Sequence, residues 1–149
     1  MRDPATESRF LYITYIRAPA QKVWDALTDP AQNKVFWSGY HQQTSWDVGA
    51  DFAIVSADGV AWDTGKVLAF DPPRHFEVTW LHQHDAAMKA EGESICSFDL
   101  DALTPEMTKL TVTHVMPVAE SKLIGAVSTG WPMIMSSLKS LLETGRALG

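Results

Sequence analysis

Late in the chain, Val127, Trp131, Ile134, Leu138, Leu141, Leu142 and Gly145 recur at gaps of three or four. That spacing predicts an amphipathic helix over residues 128–148, whose stripe must be buried against another layer. Ser128 or Thr129 can cap its start, Pro132 fits a first turn where its missing amide has no partner, and Gly145 fits the end. Upstream the pattern changes. Residues 9–17 are rich in β-branched and aromatic types and read as a strand, closed by Ala18-Pro19. Pro19 opens a helix with Val23, Trp24 and Leu27 on one side and Asp29-Pro30 as its stop. A short helical turn or loop carrying Phe36, Trp37 and Tyr40 follows.

Strands are predicted over 42–46, 51–56, 60–70, 75–82, 93–103 and 109–116, separated by Asp47-Val48-Gly49, Asp58-Gly59, Pro72-Pro73 and Thr104-Pro105-Glu106. Alternation puts Phe76, Val78, Trp80 and His82 on one face, then Ser94, Cys96, Phe98 and Leu100, then Leu110, Val112, His114 and Met116. Residues 83–92 read as an exposed loop, and 117–127 as a loop or first helical turn. The order is an α+β pattern: an antiparallel sheet with helices on one side, in a single domain over 1–149.

Composition narrows the function classes. The net charge of −6, with no run of Lys and Arg, argues against a nucleic-acid partner. No stretch approaches the roughly 20 apolar residues of a membrane span, and the opening MRDPATESRF lacks a secretory apolar core. A lone cysteine, Cys96, excludes an internal disulfide, so the expected location is cytoplasmic. Six Trp, six Phe and three Tyr in 149 residues are more rings than a core of this size needs, which points to an aromatic core, a lined recess, or both.

Two stretches, IRAPAQKVWDALTDP and GWPMIMSSLKSLLETG, resemble the signature segments of the activator-of-heat-shock-protein-ATPase homologues, the AHSA family of the START-like, birch-allergen-like (SRPBCC) superfamily. The resemblance runs from about Phe10 to Gly145. It implies a helix-grip fold: a curved antiparallel sheet around the long C-terminal helix, with a cavity between them. Superfamily functions range over lipid and hormone binding, cyclase activity and chaperone stimulation, so fold transfers better than activity. Chaperone-stimulating members usually carry a further N-terminal domain, which is not read in this chain.

For chemistry, Phe52, Trp62, Phe76, Trp80, Phe98 and Trp131 have parity or spacing suited to a concave face, and Phe36, Trp37 and Tyr40 could roof an opening. Met116, Met135 and Leu138 would add apolar wall, with His82 and His114 as orienting donors. Glu93 and Asp63 fall on the opposite parity and are expected to face solvent. No G-x-S-x-G, G-x-G-x-x-G or P-loop pattern occurs, and no catalytic residue is assigned. His82, His84 and His114 offer no motif-spaced third ligand, so no metal and no cofactor is expected. The leading expectation is a binder of a small hydrophobic molecule, existing as a monomer or homodimer. The alternatives are a co-chaperone-like accessory protein, which rests on the resemblance, and a cyclase- or hydrolase-type enzyme, which rests on superfamily precedent and the inward histidines.

Overall fold

Seven antiparallel strands in the computed structural model, which describes residues 6–148, form one curved, unclosed sheet with a long helix in its hollow. Residues 1–5, part of the opening segment read for a signal, and Gly149 lie outside the described residues. In chain order the elements are β1 (Ser8–Ile16), α1 (Ala20–Thr28), α2 (Pro30–Phe36), β2 (His41–Gln43), β3 (Asp51–Val55), β4 (Ala61–Asp71), β5 (His75–His82), α3 (Ala86–Ala90), β6 (Ser94–Thr104), β7 (Met107–Met116) and α4 (Lys122–Thr144). The strands lie in the order β1-β7-β6-β5-β4-β3-β2, leaving β1 and β2 as free edges. This is the α+β helix-grip arrangement expected from the sequence. Among the described residues no helix is long and apolar enough to cross a membrane.

Register builds the core. Phe76 pairs with Phe98 and Phe98 with Val112, so the buried alternate residues of three strands form a continuous row. The Phe76 and Phe98 rings stack with centroids 4.7 Å apart. Trp24 of α1 meets Phe76 edge-on at 5.7 Å. The Asp58-Gly59 turn joins β3 to β4 as predicted, with Gly59 at φ 84°, a conformation that favours glycine. Trp46, assigned from the sequence to the second strand, instead follows β2 with φ 66° and drops its ring among Phe52, Phe70 and Phe76.

Two boundaries differ from expectation. The loop at 83–92 contains α3, capped by the Asp85 carboxylate, which accepts from the Ala87 and Met88 amides at 3.0 Å. And α4 begins at Lys122, six residues before the predicted start, because Ser121 and Glu91 supply acceptors for its free amides. Ser121 Oγ accepts from Ile124 N at 3.1 Å, while the Glu91 carboxylate accepts from Lys122 N at 2.7 Å and from Ser121 Oγ at 2.6 Å. Pro132 therefore sits inside the helix rather than in its first turn. Gly145 ends α4 at φ 83°, donating to Leu141 O.

Candidate functional site

The strongest polar feature of the interior begins at His114, which is wholly buried. The indole of Trp131 donates to its Nδ1 at 3.1 Å, and since an indole nitrogen can only donate, Nδ1 is the acceptor and Nε2 carries the proton. Nε2 then donates to Ser94 Oγ at 2.7 Å, and Ser94 in turn donates to the Trp80 carbonyl at 3.1 Å. Burial lowers the His114 pKa from 6.5 to about 3, so the neutral tautomer that completes this chain is the stable form. His114 is thus a fully satisfied core histidine that ties α4 to β5, β6 and β7.

Beside this core lies a cleft of about 270 Å³ between the ends of β4 and β5, the first half of α4, the α2–β2 connection and α3. Six of the sequence-selected residues line it: Trp37, Tyr40, Trp62, Trp80, His82 and Trp131. The other eight do not meet there. Phe52, Phe76, Phe98, His114, Met116, Met135 and Leu138 are buried in the packed core, and Phe36, also buried, borders a separate groove with Pro132, Met133 and Leu148. The cleft is kept open by what α4 omits. Ala126 and Gly130 stand one turn apart on its wall, and a methyl added at Gly130 would meet nothing within 4 Å.

Asp63 corrects the sequence reading. It lines the cleft, with 8% of its surface exposed, instead of facing solvent. The reason is a β-bulge. Val67 pairs with Val78 but Ala69 pairs with Glu77, so Leu68 is an extra residue, and parity reverses across it. Phe70 lies opposite Phe76, and before the bulge Asp63 pairs with Ile54 on one side and His82 on the other. Gly65, two residues on, allows the close approach of β5: a Cβ there would stand 1.9 Å from the Thr79 carbonyl oxygen.

Asp63 Oδ1 accepts from Trp80 Nε1 at 2.8 Å and lies 2.8 Å from His82 Nδ1. Oδ2 accepts no hydrogen bond among the described residues. Burial raises the Asp63 pKa above 3.8, opposed by the hydrogen bond and charge of His82 and by the bond from Trp80. Aromatic contacts run along the cleft wall: Tyr40 against Trp62 at 6.3 Å, Trp37 against Trp131 at 5.5 Å, and Trp80 against Trp131 at 5.6 Å. Among the described residues no Lys or Arg lines the cleft. The three histidines named above do not gather. His84 bonds the Ala61 carbonyl at 3.1 Å, His82 faces Asp63, and His114 is in the core; among the described residues no group of three or more His, Cys, Asp or Glu is placed to hold a metal.

The sequence model described as "Activator of Hsp90 ATPase homolog 1-like protein" matches residues 17–143. The chain belongs to that family. This Hsp90-activator-like assignment agrees with the fold of solved structures. A protein from Mesorhizobium loti, MLL2253, superposes with a TM-score of 0.76 at 26% identity, over 91% of this chain and 97% of that one. The Aha1 dimer from Colwellia psychrerythraea gives 0.69 at 22% identity, over 94% and 99%. An HSP90 activator from Plasmodium falciparum, PFC0360w, gives 0.65 at 17%, over 83% and 86%. No curated protein matches the sequence.

Proposed function

We propose that the chain binds a small, mainly apolar molecule in the cleft between the sheet and the first half of α4. The observation that carries this reading is the wall itself: five Trp and Tyr rings around an unfilled volume of about 270 Å³, with Gly130 leaving room on the helix side. That volume lies just under the roughly 300–1,000 Å³ common for small-molecule sites, and apolar walls with a few polar groups are their usual chemistry. A cytoplasmic location goes with this reading, supported by a single thiol, Cys96, that is buried and unpaired. The test is a thermal-shift screen against a broad lipophilic panel, run beside Gly130→Leu. Ligands that raise the melting temperature of the parent but not of the variant support the cleft; a flat response across the panel overturns it.

A second reading, an accessory protein for a chaperone ATPase, has its own observation. Edge strand β1 exposes Leu11, Ile13 and Tyr15 side by side, an apolar strip on a free sheet edge, and one structural neighbour is titled an HSP90 activator. Addition of the chain to the chaperone should then raise its ATPase rate, and Ile13→Lys should abolish the rise. An unchanged rate removes this reading and leaves the first untouched.

A further inference from the structure

We propose that the cleft selects cationic ligands, small molecules with an aromatic or alicyclic body and a protonated amine that bonds Asp63 Oδ2. This rests on the ligand-binding reading above and adds the chemical class. Among the described residues Asp63 is the one of fixed acidic or basic type in the cleft wall, and no Lys or Arg there is placed to receive a carboxylate or phosphate. An anionic guest would therefore enter beside a carboxylate whose one titratable neighbour in the described wall, His82, is already engaged with Oδ1, and burial makes that costly.

The carboxylate is already held in place. Trp80 and His82 both meet Oδ1, fixing the plane of the group, while Oδ2 is left without a hydrogen bond in a residue that lines the cleft. An ammonium supplies the missing donor, and a charge-assisted hydrogen bond is the stronger kind. The surroundings favour the same charge. Tyr40, Trp62, Trp37 and Trp131 surround the volume, and indole and phenol faces attract cations. An uncharged apolar guest would fill the cleft but leave Oδ2 unpaired.

Three probes of one shape separate the possibilities by calorimetry at neutral pH: 2-naphthylmethylamine (cation), 2-naphthylmethanol (neutral) and 2-naphthoate (anion). The amine should bind at least about tenfold tighter than the alcohol, with the anion weakest. Asp63→Asn, close in shape, should erase the amine's advantage over the alcohol. Equal binding of amine and alcohol by the parent protein, or preference for the anion, overturns the inference without recourse to any variant. If the alcohol then still binds and Gly130→Leu removes it, the cleft reading survives alone. If none of the three binds, the cleft reading falls and the charge selection with it.

Discussion

At the scale of single residues, His114 and Asp63 are buried titratable groups with opposite consequences. His114 stays neutral in the fold down to about pH 3, whereas in the unfolded chain it takes a proton near its usual 6.5. Between those values the unfolded state binds more protons, so His114's contribution is complete above 6.5 and is lost as pH falls, by at most about 1.4 kcal/mol per pH unit. Asp63 acts the other way: its folded pKa is raised, so the native state holds a proton that the unfolded chain has released, and acid relieves that penalty. Asp63 therefore opposes the His114 trend from 3.8 upward. Urea unfolding at pH 7 and pH 5 should show a clear loss of stability in the parent. His114→Gln should be less stable at pH 7, because the Trp131–Ser94 chain is disturbed, and should lose less on going to pH 5. Equal pH slopes would contradict the assignment.

At the scale of elements, the start of α4 depends on a residue thirty positions away. Glu91 follows α3, and its carboxylate accepts from Ser121 Oγ and from the Lys122 amide, so it fastens the segment carrying Met88, a cleft residue, to the helix. Glu91→Ala should destabilise the protein by roughly 0.5–2 kcal/mol, the range for losing a helix cap, read as a lower urea midpoint with unchanged slope. Amide exchange should also quicken over 86–92 and at Lys122 and Leu123. The long-range origin of this cap explains what the sequence hid. Gly125, Gly130 and Pro132 weaken the helical signal, and no local pattern announces Glu91 as the partner. Where strands run unbroken, parity was enough: Phe76, Val78 and Trp80, then Ser94 through Leu100, and Leu110 through Met116, fall on the buried face as read. Alternation cannot reveal an inserted residue, so Asp63 was assigned to the wrong face. Nor can it distinguish a ring that packs the core, such as Phe98, from one that borders a space, such as Trp131.

At the scale of the whole molecule, the fold contains a site where stability and openness compete. Glycine inside a helix is about 1 kcal/mol less favourable than alanine, and Gly130 keeps open a space that a larger side chain could occupy. Gly130→Leu should raise stability by about 0.5–1 kcal/mol, measured by urea unfolding, while weakening every cleft ligand. A variant that is stabilised yet still binds would mean the guest sits elsewhere. The sheet contributes to the same balance, since its curvature around α4 holds Trp80 and Trp131 edge to face and lets one indole serve both the His114 core and the cleft wall.

The extra residue at Leu68 gives that curvature a chemical meaning. Excising it would rotate the preceding half of β4 by one step, so that Thr64 and Lys66 inherit the interior face while Asp63 swings to the outside. One codon's worth of backbone thus decides whether the hollow offers an acid, and a lineage could exchange the polarity of its guests through a length change alone, with no substitution in any wall residue.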